Sequence, residues 1–150
     1  MEETRVPSKA ILLVEDNPDD EDLVMRSLRK ANIANDVIVK QDGFEALEYL
    51  YGPEGVCESG EVPALVLLDL KMPRIGGIEV LLRIRQEPAT QYLPVVILTS
   101  SSEDEDIVRS YASGANSYVR KPVDFAEFAN VVQGLGLYWL LINQVPRIIE

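Results

Sequence analysis

The stretch Ala64–Pro73, reading Ala-Leu-Val-Leu-Leu-Asp-Leu-Lys-Met-Pro, constrains this chain more than any other. Ala64 to Leu68 are apolar without alternation, the pattern of a strand buried on both faces inside a parallel sheet. Asp69 falls where that strand stops. Pro73 cannot continue a ladder, and Gly76-Gly77 supply flexible backbone from which a helix starts. Open α/β sheets place their chemistry at the carboxyl ends of central parallel strands, so Asp69 is a candidate functional carboxylate as well as the start of a loop.

The rest of the chain repeats the pattern. Ala10–Val14 is a second unbroken apolar run and ends in Glu15-Asp16. Asn17-Pro18 then reads as an N-cap and first helical residue, with Leu23, Val24, Leu28 and Ala31 on the buried face. Asp36–Lys40 is a shorter strand nearer a sheet edge. Asp42-Gly43 turns into a helix with Phe44, Leu47, Leu50 and Tyr51 on one side. Gly52–Val62 has glycines and little periodicity and reads as a surface loop. After the central strand, a helix over Gly77–Gln86 turns Val80, Leu81 and Ile84 to the sheet. Pro94–Leu98 is the fourth strand, ending in Thr99-Ser100-Ser101-Ser102. A helix with Ile107, Val108, Tyr111 and Ala112 on one face is closed by Gly114. Asn116–Arg120 is the fifth strand, followed by Lys121-Pro122. Asp124 to Glu127 has capping-box spacing, and the last helix runs towards Ile142, with Pro146 stopping anything further.

Strand and helix alternate five times, with connections of a size that fits right-handed parallel crossovers. The expectation is an α/β fold, a doubly wound five-stranded parallel sheet in the flavodoxin-like order 2-1-3-4-5. The pattern reads as a single domain over residues 10–145, with an extension at 1–9 and a tail at 146–150.

Several functions are disfavoured by composition. The chain has no histidine and one cysteine, Cys57, which removes imidazole chemistry, zinc-ligand spacing and a disulfide framework. Its net charge of −11 repels nucleic-acid phosphates and anionic lipid. The amino terminus lacks the apolar core of a signal peptide, and no stretch approaches the ~20 apolar residues of a membrane helix. A cytoplasmic protein is expected. The acidic runs Asp19–Asp22 and Glu103–Asp106 each begin a helical pattern and read as complements to helix dipoles.

In the expected strand order, the switch point lies between the first and third strands. Glu15, Asp16, Asp69, Thr99 and Lys121 then converge on one edge of the sheet. Taken singly, each has an ordinary reading as a capping acid, a strand-end hydroxyl or a surface charge. Together they crowd three carboxylates, and two like charges ~4 Å apart cost ~4 kcal/mol at an effective dielectric of 20. A divalent cation and an ammonium would neutralise them. Mg²⁺ suits an oxygen site that keeps waters for a phosphate to displace. Asp69 can then act as a nucleophile towards a phosphoryl group, with Lys121 and the cation on its oxygens and the Thr99 hydroxyl donating to one of them.

On Val14-Glu15-Asp16, Asp69-Leu70-Lys71-Met72-Pro73 with Gly77, Thr99-Ser100, Gly114-Ala115 and Lys121-Pro122, the chain resembles the receiver domains of two-component response regulators, the family of the chemotaxis protein CheY. The resemblance runs from about Ala10 to Ile142. It implies that Asp69 is the phosphoacceptor, Glu15 and Asp16 the acidic metal-binding pair, and the Lys71 backbone carbonyl a further metal ligand. It also implies that Thr99 and Tyr118 form the switch pair and that Lys121 binds phosphate. Lys71 and Ser101 occupy positions that vary in the family and bear on phosphate lifetime.

A sensor histidine kinase and an unidentified downstream protein follow as partners. The stretch Leu137–Ile142, with Asn143 and Pro146, is similar to that of stand-alone regulators paired with phytochrome-type histidine kinases. The chain stops after its last helix, so action by docking is expected. Phe125, Phe128, Val132, Leu135, Trp139 and Ile142 make one helical stripe, while Leu137, Tyr138, Leu140 and Leu141 lie largely off it. These four are expected to form a homodimer face. Two alternatives stay open: a phosphatase of the haloacid-dehalogenase type, which typically carries a second Asp where Lys71 stands, and a receiver-like scaffold that is never phosphorylated.

Overall fold

The computed structural model describes residues 10–30 and 35–121, together with 126, 127, 130, 131 and 134. Residue parity along the strands divides the core in two. Leu12 and Val14 of β1 (Ile11–Val14), Val66 and Leu68 of β3 (Leu65–Leu68) and Val95 and Ile97 of β4 (Val95–Thr99) face one way. They pack with Ala46 and Leu50 of α2 (Gly43–Tyr51) and Val80, Leu81 and Ile84 of α4 (Gly77–Gln86). Ile11, Leu13, Leu65, Leu67, Val96 and Leu98 face the other way, against Val24 and Leu28 of α1 (Pro18–Lys30). Both sides of the strands are dry, which is why their sequences run apolar without alternation. Each fully buried Leu or Ile contributes roughly 1.5–3 kcal/mol.

All pairings are parallel and the order is β2-β1-β3-β4-β5, with β2 at Val37–Lys40 and β5 at Ser117–Arg120. The expected five-stranded architecture is therefore present. β2 is half-buried along its length, as an edge strand should be. Register sets up the site. Val14 lies opposite Leu68, so Glu15 and Asp69 leave the sheet side by side. Thr99 lies opposite Arg120, so Lys121 emerges beside it.

Three expectations need correction. Within Gly52–Val62 the chain makes a one-turn helix, α3 (Val56–Ser59), closed by Gly60 in the left-handed region at φ 78°. Four residues are too few to display a helical period. Phe44 does not join the buried side of α2: it is exposed, its ring stacked under the Arg74 guanidinium at 4.5 Å. On α5 (Asp104–Ala112) Ile107 is half-buried, but Val108, Tyr111 and Ala112 are exposed. The fully buried residue there is Ser110, whose hydroxyl donates to the Asp106 carbonyl at 2.8 Å and so carries no desolvation penalty into the interface. Of the last helix, Ala126, Glu127, Asn130, Val131 and Gly134 are helical. The expected stripe at Phe125, Phe128, Val132, Leu135, Trp139 and Ile142 lies outside the described residues, as do Ala31, Asp124, both terminal segments and Leu137, Tyr138, Leu140 and Leu141.

Two arginines fasten the connections. Arg85, near the end of α4, donates to the carbonyls of Gly114 (2.9 Å), Gln91 (3.2 Å) and Leu93 (2.7 Å) and to Asn116 Oδ1 (2.9 Å). Gly114 has φ 104°, and a Cβ there would press on the Arg85 side chain. Arg74 grips Asp42 with Nε at 2.8 Å and Nη2 at 2.7 Å, while Asp42 Oδ1 caps α2 by accepting the Glu45 N–H at 2.8 Å. Burial would raise the Asp42 pKa, but the Glu45 N–H and the Arg74 guanidinium outweigh it and hold the carboxyl below its usual range.

The start of α4 sits against the end of β3: the Gly77 N–H donates to the Leu70 carbonyl at 2.9 Å. A Cβ on Gly77 would collide with the Asp69 carbonyl oxygen and the Leu70 Cα, both backbone atoms with nowhere to go. Gly77→Ala is expected to destabilise the fold by about 1–3 kcal/mol through this overpacking, and to displace Asp69. Urea unfolding and the amide spectrum around Asp69 measure both effects.

Candidate functional site

Four strand ends build the site. Glu15 and Asp16 follow β1, Asp69 follows β3, and Thr99 and Lys121 sit at the ends of β4 and β5. Glu15, Asp16 and Asp69 each offer a carboxylate oxygen, and these oxygens lie within 4.8 Å of one another. Glu15 and Asp69 are buried, whereas Asp16 is exposed at the mouth. Hard oxygen donors with one open side suit a divalent cation that keeps part of its water shell.

The Lys121 ammonium faces this group. Its Nζ is 2.6 Å from Glu15 Oε2, 2.8 Å from Asp20 Oδ2 and 3.5 Å from Asp69 Oδ2. Burial alone would lower the Lys121 pKa, but hydrogen bonds to Asp20 and Glu15 and the Asp69 charge outweigh it and hold the value above the usual one for lysine. Burial dominates at Glu15 in the other direction. Its hydrogen bond to Lys121 opposes the rise and the Asp69 charge adds to it, leaving the carboxyl raised to about 7. Asp69 Oδ1 accepts the Leu70 N–H at 2.8 Å, so Oδ2 is the oxygen left on the Lys121 side.

Thr99 is buried at the end of β4, and its Oγ1 accepts the Ser101 N–H at a long 3.4 Å. Tyr118 is half-buried on β5, with its hydroxyl donating to the Ser101 carbonyl at 2.8 Å. Ser101 Oγ in turn donates to Asp106 Oδ2 at 2.6 Å. The loop after β4 is thus tied to β5 on one side and to α5 on the other. Lys71 is exposed in the loop after Asp69. The structure brings together Glu15, Asp16, Asp69 and Lys121 and places Thr99 on the same edge. It links Tyr118 to the loop that Thr99 begins.

Asp20 was not among the expected site residues. Sequence reasoning assigned Asp19–Asp22 to the helix dipole as a group. The available signal was position: Asp20 is the third residue of a helix that starts immediately after the acidic pair, within one turn of the strand ends. Asp22 instead pairs with Arg26 at 3.0 Å one turn on.

The response regulator receiver domain model matches residues 11–133. Among curated proteins, the chain is 37% identical over 140 residues to the response regulator Rcp1 of Synechocystis, covering 93% of this chain and 95% of that one. Among solved structures it is similar to the phosphorylated cyanobacterial phytochrome response regulator RcpA, at TM-score 0.84 and 35% identity over 93% of this chain and 99% of that one. It is also similar to the Mn²⁺-bound form of Rcp1, at TM-score 0.82 and 37% identity with the same coverage.

The raised Glu15 pKa has a consequence for stability. Between the ordinary carboxyl value of 4.5 and about 7, folded Glu15 keeps a proton that the unfolded chain has lost. Stability from this group is therefore complete below that window and is lost as pH rises through it. A divalent cation offsets the crowded charge, so its stabilising effect should be larger at pH 8 than at pH 5.5, where it must displace a proton. Thermal melts with and without Mg²⁺ at the two pH values measure this difference.

Proposed function

This chain belongs to the response regulator receiver domain family, and on that premise we propose that it accepts a phosphoryl group from a sensor histidine kinase onto Asp69 and signals by a change of shape that alters protein docking. The observation that carries the reading is the convergence of Glu15, Asp16 and Asp69 around one edge of the sheet, with the Lys121 ammonium among them. Asp69 Oδ2 attacks phosphorus while the bond to the donor histidine nitrogen breaks. Lys121 balances charge on the phosphoryl oxygens, and the Thr99 hydroxyl donates to one of them. Glu15, Asp16, Asp69 and the Lys71 carbonyl would hold Mg²⁺, which would supply positive charge against the transferred group. The similarity to the Mn²⁺-bound form of Rcp1 supports a divalent ion for this chain.

Thr99 and Tyr118 form the switch. Ser101 joins them, since its N–H reaches Thr99 and its carbonyl takes the Tyr118 hydroxyl. A pull on Thr99 is therefore passed to Tyr118 through the loop between them, and two packings differing by a few kcal/mol suffice for such a switch. The phosphatase alternative is not favoured: Lys71 stands where a second carboxylate would be needed, and the receiver model spans most of the chain. We read the receiver as residues 10–145, flanked by an extension at 1–9 and a tail at 146–150, and the protein as a signalling module without turnover in the cytoplasm. Among the described residues no helix is long and apolar enough to cross a membrane. The resemblance to RcpA and Rcp1 supports a phytochrome-type kinase as the phosphodonor.

Treatment with acetyl phosphate and Mg²⁺ should add one phosphoryl group by intact mass, and Asp69→Asn should abolish it. Thr99→Ala should still accept phosphate but lose the amide shifts around Tyr118 that a phosphate mimic produces in the wild type. An adduct surviving in the Asn variant would sink the assignment of Asp69.

Leu137, Tyr138, Leu140 and Leu141 are proposed as a homodimer face, on the sequence argument that the end of the last helix is apolar nearly all round. Sedimentation at micromolar concentration is expected to give a dimer, and charged substitutions at Leu137 and Leu141 a monomer. A wild-type monomer with and without a phosphate mimic removes the dimer.

A further inference from the structure

Asp20 stands outside the three carboxylates that face a cation, yet it is nearer to the Lys121 ammonium than Asp69 is, at 2.8 Å against 3.5 Å. Glu15 Oε2 accepts another ammonium N–H at 2.6 Å. Two of the three N–H donors are therefore committed, and the gap to Asp69 exceeds the ~2.7–2.9 Å of a charge-assisted hydrogen bond. The helix start fixes Asp20 in this place: Asn17 Oδ1 accepts the N–H groups of Asp19 at 2.9 Å and Asp20 at 3.3 Å. The arrangement is directional, because Lys121 is buried while the Asp20 carboxylate remains 27% exposed.

The geometry points to Asp20 as a positioning residue that holds the Lys121 ammonium at rest, so that the ammonium must leave Asp20 to engage a phosphoryl group on Asp69. This rests on the reading of Asp69 as phosphoacceptor. With acetyl phosphate as donor, Asp69 Oδ2 forms the new bond to phosphorus, the bond from phosphorus to the acetyl oxygen breaks, and acetate leaves with the electron pair. The Asp69 side chain goes from one negative charge to nearly two, which draws Lys121 inward. Asp20 opposes that move. On hydrolysis, water attacks phosphorus, the bond to Asp69 breaks, inorganic phosphate leaves, and the ammonium returns to Asp20. Asp20 thus lowers the rate of phosphorylation and shortens the life of the adduct, and it does both through Lys121.

The test compares the wild type, Asp20→Asn, Asp20→Glu, Lys121→Met and the Asp20→Asn/Lys121→Met double variant as full chains with acetyl phosphate and Mg²⁺. Adduct formation and decay are followed by intact mass. Releasing one charge-assisted hydrogen bond that water partly screens should make Asp20→Asn roughly threefold to tenfold faster to phosphorylate and longer-lived. Asp20→Glu, which keeps a carboxylate, should return towards the wild type, and Asp20→Asn should change nothing in the Lys121→Met background. A second readout needs neither donor nor cation: the Lys121 Nζ nitrogen signal of the metal-free protein should shift in Asp20→Asn.

Equal rates and lifetimes in wild type and Asp20→Asn overturn the proposal. So does an equal change in the Lys121→Met background, which would make Asp20 a source of bulk charge. If Lys121→Met forms no adduct at all, an Nζ signal unchanged between wild type and Asp20→Asn overturns it. A wild type that never forms an adduct is a different result: it removes the Asp69 reading, and the role of Asp20 with it.

Discussion

Four carboxylates and one ammonium share the carboxyl edge of this sheet, and their mutual repulsion is the constraint around which the site is built. A fold that places acids at the ends of neighbouring buried strands cannot let them spread apart, because the strands are locked by packing on both faces. The charge must instead be balanced where it lies. Lys121 supplies part of that balance from a strand two places away from Asp69, and the remainder is left for a cation. The same crowding that makes the cluster costly makes it receptive to a positive ion.

The two cores explain how such crowding is tolerated. Residue parity sends Leu12, Val14, Val66 and Leu68 one way and Ile11, Leu13, Leu65 and Leu67 the other, so each central strand is anchored from above and below. A one-residue slip would exchange these sets and would also move Glu15 away from Asp69. The register that satisfies packing is thus the register that assembles the site.

Much of this was legible in sequence because it depends on contiguous residues. Unbroken apolar runs mark β1, β3 and β4, and polar residues at their ends mark Glu15, Asp69 and Thr99. Lys121 required only the strand order. What stayed hidden depends on orientation. The exposed positions Val108 and Tyr111 have the same spacing as a buried stripe, and nothing local says that Ser110 is the residue turned inward. Phe44 faces outward, where an arginine from a distant loop stacks on its ring. Asp20 reads like Asp22 in composition and differs from it only by the direction in which α1 leaves the sheet.

The Arg85 contacts give the molecule a mechanical asymmetry. Its guanidinium binds Gly114, just beyond the end of α5, together with the turns that precede β4 and β5, all at the end of the sheet away from Asp69. The opposite end of α5 is joined to the site edge through Ser101 and Asp106. α5 is therefore fastened at both ends by different parts of the molecule, at Gly114 by Arg85 and at Asp106 by Ser101, and the Tyr111 hydroxyl between them accepts the Tyr118 N–H of β5 at 3.2 Å.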